Sequence, residues 1–346
     1  MTRDIRPLSS TEDVGRLSVD ATSRLHSASH DEIMAGYTSD IYFLRTLEIL
    51  RSLGLADVPV VAEIFPSLDG ICVGVDEVRY LLRDNGVKIE SLSEGEPFAA
   101  REVIMRIEGP YARFGMYETV LLGMLAQPSG WATAAREVVT AAGEKPAYVF
   151  GAGHVHPAVA PVMERAAILG GMRGAACILG AKLAGQEPVG TMPHAFVLIV
   201  GDTVRAAIAY HERMPARVPR LVLVDTFTDE AVEALRVAEA LGPDLAAIRL
   251  DTPRERGSVT PDLVREVRAR LTLAGHPNIQ IFVSGGLTPE RIASLAEAGA
   301  DAFGVGSHIS AARPIDMTLD LREVNGRPLA KRGRTPGRTP APRLHR

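Results

Sequence analysis

Hydrophobic positions along the chain change their spacing in a way that divides it. Residues 1–30 are polar, mixed in charge and without a sustained apolar period, which predicts a flexible or loosely docked arm. Helical spacing starts within "YTSDIYFLRT": Ile41, Leu44, Leu47 and Leu50 recur every third residue between a capping Ser39 or Asp40 and a stop near Gly54. The runs "VPVVAEIF", "VKIESL" and "EVIMRIEG" then read as strands, with a helix over "DEVRYLLRDN" between the first two, an α/β unit of antiparallel flavour. From Pro110 to Ala142 the period is helical again, with a break expected at "QPSG". A boundary is placed between Gly143 and Pro146.

Beyond it the texture is a regular alternation. Apolar runs "AYVF", "RLVLVD", "LAAIRLD", "IQIFVSGG" and "DAFGVGS" are separated by amphipathic stretches such as "TDEAVEALRVAEALG", "TPDLVREVRARLTLAG" and "TPERIASLAEAG". Strand-then-helix order implies parallel strands buried on both faces, and a barrel is favoured over a doubly wound sheet because the runs end in polar residues or glycines. The expected organisation is an arm over 1–30, an α/β domain over 31–145, an α/β barrel over 146–312, and a return segment with a basic tail over 313–346. The tail "NGRPLAKRGRTPGRTPAPRLHR" reads from composition as a solvated, partly disordered end.

Composition narrows the class of protein. At 46% hydrophobic and 23% charged residues with a net charge of −4, the chain resembles a soluble enzyme, and nothing global points to nucleic acid. Cys72 and Cys177 are far apart and outside any C-x-x-C pattern, so neither a disulfide framework nor a thiolate zinc site is expected. With no apolar run of membrane length and no signal-like N-terminus, a cytoplasmic protein is expected.

In a parallel barrel the strand ends converge on one mouth. Here they present Phe150 with Gly151, His194, Asp225, Arg249 with Asp251 and Thr252, Ser284 with Gly285 and Gly286, and Gly304 with Gly306. The glycines of "VSGGLTPERI" and "FGVGSHIS" let backbone N–H groups approach an anion, which predicts a phosphate-ester site. Arg249 and Asp251, two apart on an extended strand, project to one side, where they can orient a sugar phosphate, meet a metal, or simply pair with each other. Asp225 can instead cap the following helix, with Thr228 competing. In "VGTMPHAF", His194 can be a packed histidine, a base or a phosphoryl acceptor.

Taken in order, "YTSDIYFLRT", "EGPYARFGMYETVLLG", "FGAGHVHPAVAP", "VGTMPHAF", "LVDTFTDEAVEAL", "IRLDTPRERG", "IFVSGGLTPERI" and "FGVGSHIS" resemble the nicotinate phosphoribosyltransferase family, within the type II phosphoribosyltransferases. The resemblance runs from about Gly36 to Arg334. It implies a mixed α/β domain joined to an irregular α/β barrel, and transfer of phosphoribose from phosphoribosyl pyrophosphate to nicotinate with help from ATP and Mg2+. It also implies a homodimer or higher homo-oligomer with shared sites. By this resemblance His194 is the histidine phosphorylated by ATP, and Phe150 stacks on the pyridine. Tyr42, with Asp40 beside it, closes a neighbouring subunit's site. Asp225, Arg249 and Asp251 face ribose, pyrophosphate and magnesium, with Asp251 the metal-side carboxylate. Ser284, Gly285, Gly286, Gly304 and Gly306 hold the 5′-phosphate, Thr252 lines the substrate side, and Glu118 matches the family's "YET" helix.

Two departures stand out. Where the family has arginines in "FGxRR", this chain has Gly153 and His154, and His154 lacks the bidentate fork of a guanidinium. In "DTPRERG" the arginines are not adjacent, leaving Arg254 and Arg256 to compensate. No cysteine follows Cys177, so the zinc knuckle that closes some relatives is not expected. The competing functions are a quinolinate phosphoribosyltransferase, a catalytically weak nucleotide-binding relative, and an unrelated phosphate-binding barrel.

Overall fold

The computed structural model describes residues 5–19, 22 and 24–346, and parts of the expected arm, residues 1–4, 20, 21 and 23, lie outside the described residues. The chain forms two compact units, residues 1–132 with 313–346, and residues 133–312. In the first unit, α1 (Thr11–Arg16) carries a capping box on Ser10 and is tied to α3 (Ile41–Ser52) where Glu48 accepts from the Thr11 backbone N–H at 2.7 Å. Between them lies α2 (His30–Met34), also boxed at its N-terminus, by Ser29. Asp40 sits at the N-cap of α3 without a side-chain capping bond.

The chain continues through β1 (Pro59–Pro66), β2 (Gly70–Ile71), α4 (Val75–Leu82), β3 (Lys88–Ser91), β4 (Pro97–Phe98) and β5 (Met105–Pro110) into the long α5 (Glu118–Ala142). The expected break at "QPSG" is absent: α5 runs unbroken through Pro128. Proline removes the N–H that the Met124 carbonyl would accept. That carbonyl instead faces Gly74, so closely that an added Cβ there would fall 1.9 Å from its oxygen. The glycine of the motif is also used in packing, since an added Cβ on Gly130 would fall 2.2 Å from the Arg313 carbonyl oxygen. Tertiary contacts thus absorb both residues that read as breakers.

The second unit holds β6 (Ala147–Val149), α6 (Ala160–Leu169), β7 (Gly174–Ala175), α7 (Ile178–Leu183), α8 (His194–Val200), α9 (Thr203–Arg213), β8 (Arg220–Leu223), α10 (Glu230–Leu241), β9 (Leu245–Leu250), α11 (Pro261–Leu273), β10 (Gln280–Val283), α12 (Pro289–Glu297), β11 (Ala302–Val305) and α13 (Ser307–Ser310). Its six strands are all parallel in the order β7-β6-β11-β10-β9-β8, curled as a half-barrel. Val149, Val222, Ile248, Leu250, Ile281, Val283, Phe303 and Val305 are fully buried, as strands covered on both faces require. The short β7 has no counterpart among the expected strands. His194, expected at a strand end, is instead the first residue of α8. Thr260 caps α11 and Asp229 caps α10, so neither Asp225 nor Thr228 serves as the cap of α10.

The chain returns to the first unit as β12 (Met317–Val324) and β13 (Arg327–Pro328), giving an antiparallel sheet in the order β13-β12-β1-β5-β3. Ile64, Leu82, Ile104, Ile107, Phe114, Leu121 and Leu125 form its core, each contributing about 1.5–3 kcal/mol by leaving water. Among the described residues no helix is long and apolar enough to cross a membrane.

The basic tail, read from composition as solvated, is docked. Buried Glu63 accepts from the Thr339 N–H at 2.9 Å and hydroxyl at 2.7 Å, and from Arg106. Arg338 pairs with Glu108 and Glu323, Arg343 pairs with Glu102, and His345 and Ser91 exchange backbone bonds of 2.8 and 2.9 Å. The partners are distant in sequence, so no local pattern announces them. Thr339→Val is expected to destabilise the protein by about 1–3 kcal/mol, because it leaves buried acceptors short of a donor. An unchanged urea midpoint would show the tail contact to be energetically idle.

Candidate functional site

A polar cluster of the second unit forms around Arg249, near the end of β9. Its Nε donates to Ser284 Oγ at 2.8 Å, one Nη to Thr191 Oγ1 at 2.9 Å, and the other to Asp251 Oδ2 at 3.0 Å. Ser284, just past β10, donates in turn to Asp251 Oδ1 at 2.7 Å. The i, i+2 relation on extended backbone brings Arg249 and Asp251 to one side, and the serine hydroxyl closes the ring by acting as donor and acceptor at once. The guanidinium is thereby fixed in plane, with N–H groups unbonded by the described residues and available to an anion.

The same guanidinium carbon lies 5.7 Å from the centroid of the Phe150 ring, within cation–π range. Phe150 stacks on Phe282 with ring centroids 5.8 Å apart and planes 15° from parallel. This pair requires Gly304, where an added Cβ would fall 2.7 Å from Phe150 and 2.9 Å from Phe282. His154, exposed in the 3-10 turn Ala152–His154, lies over Gly306, 2.8 Å from an added Cβ. Gly285 and Gly286 follow β10 with φ of +94° and +58°, and their carbonyls accept from Arg291 at 3.1 and 2.8 Å. Thr252 turns inward, its hydroxyl donating to buried Glu230 at 2.7 Å.

His194 and Asp225 meet. The imidazole Nε2 lies 3.0 Å from Asp225 Oδ2, with the histidine 41% exposed and the carboxylate 1% exposed. Burial raises the Asp225 carboxyl above the ordinary aspartate value. The His194 hydrogen bond opposes that shift, and the charge of nearby Asp251 adds to it. With Nε2 donating to the carboxylate, Nδ1 is the nitrogen that keeps a lone pair for chemistry.

Asp40, Tyr42 and Glu118 belong to the first unit and form a group of their own. Asp40 accepts from the Thr119 hydroxyl at 3.0 Å, and Tyr42 is 54% exposed. Burial pushes Glu118 up to about 7, countered by a hydrogen bond from Tyr111 and reinforced by Asp320, with Lys331 opposing.

Two residues of the second unit were not singled out as candidates by sequence. Thr191 accepts from Arg249, and its place inside "VGTMPHAF" was the available signal. Glu164, fully buried on α6, accepts from the backbone N–H groups of Gly151, Ala152 and Cys177, and its signal was a carboxylate within the otherwise apolar "APVMERAAIL".

Comparison with known proteins gives this geometry a family. Residues 40–129 match the family described as quinolinate phosphoribosyl transferase, N-terminal domain, and residues 131–320 match quinolinate phosphoribosyl transferase, C-terminal domain. The chain belongs to this family. Within it, the expected nicotinate branch has more distant support. Nicotinate phosphoribosyltransferase pncB1 of Mycobacterium tuberculosis is 31% identical over 266 residues, covering 74% of this chain and 58% of the relative. This chain therefore spans little more than half the length of that relative.

Among solved structures, nicotinate-nucleotide pyrophosphorylase from Pyrococcus furiosus is 47% identical, with a TM-score of 0.87, over 91% of this chain and 82% of the other. Human nicotinic acid phosphoribosyltransferase, at 19% identity and a TM-score of 0.67 over 87% of this chain and 77% of the other, shares the fold. The family match covers both the antiparallel unit and the half-barrel, which leaves the reading as an unrelated phosphate-binding barrel without support.

The elevated Glu118 carboxyl sets a direction for stability against pH. Its folded value of about 7 exceeds the ordinary 4.5, so the folded state holds a proton that the unfolded state has released between these values. Its contribution is fully present below about 4.5 and is lost as pH rises through about 7. Glu118→Gln should remove this slope, so that variant and parent diverge in Tm between pH 5 and pH 7.5 by widening amounts. Parallel Tm curves would assign the slope elsewhere.

Proposed function

We propose that the protein transfers phosphoribose from phosphoribosyl pyrophosphate to the ring nitrogen of nicotinate in NAD biosynthesis, forming nicotinate mononucleotide and pyrophosphate. The observation that carries the acceptor choice is the single guanidinium over Phe150. Among the described residues of the second unit, the cation set on that ring is Arg249, and it already shares its charge with Asp251. A flat pyridine bearing one carboxylate matches an aromatic face with one fixed cation. The name of the Mycobacterium tuberculosis relative supports the same acceptor.

In this mechanism the pyridine nitrogen attacks the anomeric carbon as the bond to pyrophosphate breaks. Positive charge grows on the ribose, where Asp225 and Asp251 stabilise it, while Arg249 and the backbone around Gly285, Gly286, Gly304 and Gly306 hold anionic groups. Asp225 and Asp251 also fit a magnesium ion. Asp225 Oδ1 is buried without a hydrogen-bond partner among the described residues, and magnesium commonly uses one or two carboxylates together with substrate phosphates. No cluster of three ligating groups exists among the described residues. Bound there, magnesium would neutralise charge on the leaving pyrophosphate.

His194 supplies the coupling to ATP. Oriented through Nε2 by Asp225, it accepts the γ-phosphoryl group on Nδ1 with release of ADP, and water later takes the phosphoryl group. The added charge alters substrate affinity at the mouth. Quinolinate as acceptor is the second reading, favoured by the family descriptions of both domains and by the name of the Pyrococcus furiosus protein. Its second carboxylate would need a second cation, which Arg254 or Arg256 beyond β9 would have to provide.

Incubation with γ-labelled ATP is expected to place an acid-labile phosphate on the peptide containing His194. The label should vanish in His194→Ala, and Asp225→Asn should slow labelling by about 100-fold. Undiminished labelling of His194→Ala, or no labelling of the parent protein in the presence of magnesium, would overturn the phosphohistidine step.

A further inference from the structure

One backbone bond of its own closes the turn that carries Phe150 and His154. Residues Gly151 to His154 include two glycines, and the His154 N–H bonds back to the Gly151 carbonyl at 2.9 Å. The external support comes from α6. Glu164 Oε1 accepts from the Gly151 N–H at 3.1 Å and the Ala152 N–H at 3.0 Å, while Oε2 accepts from the Cys177 N–H at 2.6 Å. One carboxylate therefore joins the loop after β6 to the loop after β7, neighbouring strands whose C-terminal ends lie side by side. It is fully buried, and the burial that raises its pKa is opposed by these same backbone donors. Close packing adds to the constraint, since an added Cβ on Gly151 would fall 2.7 Å from Met163 and one on Gly180 3.1 Å from the Glu164 Cβ.

We propose that Glu164 is a positioning residue that sets the acceptor-ring face of the site, by fixing the Phe150–His154 turn through paired backbone bonds. It acts through Phe150 and touches no substrate. The inference rests on the transfer proposed above. Its specific content is that Glu164 governs the pyridine and not the phosphoribosyl donor, because Asp251 and Ser284, on the donor side, are held by a bond of their own.

The chemistry of the carboxylate suggests graded variants. An ionised carboxylate only accepts, so it can serve all three N–H groups. In Glu164→Gln, one side of the amide still accepts, while its NH2 confronts a backbone donor on the other. Glu164→Ala removes the acceptor of three N–H groups, of which the Gly151 one is buried and the Ala152 and Cys177 ones part-buried. Glu164→Gln is therefore the principal variant, and Glu164→Ala the stronger perturbation.

Two measurements on the full chain decide the matter. In steady-state kinetics, Glu164→Gln should raise KM for nicotinate by about tenfold while KM for phosphoribosyl pyrophosphate stays within about twofold. A fall in kcat alone, or an equal rise in both KM values, would overturn the proposal, since a general loss of folded protein cannot select one substrate. Hydrogen exchange monitored by mass spectrometry should show faster exchange in peptides covering residues 148–156 and 175–179, with the β9 and β10 peptides unchanged. Unchanged exchange in the first two peptides would also overturn it. The exchange experiment needs no turnover, so a parent protein inactive towards nicotinate would refute the proposed acceptor while still leaving the role of Glu164 decided by exchange.

Discussion

The ring of bonds among Arg249, Ser284 and Asp251, with Thr191 as a further acceptor of the guanidinium, is the constraint on which the rest of the candidate site depends. It draws on the end of β9, the first residue beyond β10 and the segment leading into α8, so three stretches separated by dozens of residues share one side-chain geometry. A guanidinium held at three points is preorganised, and the cost of fixing it is met during folding and not during binding. The same residue faces Phe150, so the position of the ring platform is coupled to the position of the charge. Conservative exchange to lysine would discard the fork that makes this possible.

A second constraint is electrostatic. Asp225 is buried with one oxygen committed to His194 and the other unbonded by the described residues, close enough to Asp251 for their charges to interact. Two neighbouring carboxylates, one with an oxygen unbonded by the described residues, form a region that favours positive charge, whether from a cation or from a ribose ring losing its leaving group. The exposed imidazole at the start of α8 stands at the border of that region, where chemistry on Nδ1 can be felt by it.

How much of this could be read from the chain depends on the distance over which each feature is specified. The β-then-α alternation is local, and β6, β8, β9, β10 and β11 lie where their apolar runs stand. Arg249 and Asp251 share a strand end, so their pairing follows from a two-residue period. The features that were not legible are nonlocal. Pro128 reads as a helix breaker until Gly74 is seen against the Met124 carbonyl. The tail "RTPGRTPAPR" has a disordered composition, but its arginines and Thr339 find acidic partners on β1, β5 and β12. Ser284 and Thr252 stood among residues expected to meet ligand, and both hydroxyls are bonded within the protein. Side-chain hydrogen bonding of this kind depends on tertiary position, which neither periodicity nor composition encodes.

The most direct measurement is the initial rate of pyrophosphate release from phosphoribosyl pyrophosphate with magnesium and ATP, comparing nicotinate with quinolinate at matched subsaturating concentrations. A platform with one fixed cation predicts a higher kcat/KM for nicotinate and release of little carbon dioxide with either acid. A higher kcat/KM for quinolinate, with carbon dioxide formed in step with pyrophosphate, would contradict it and assign the chain to dicarboxylate chemistry.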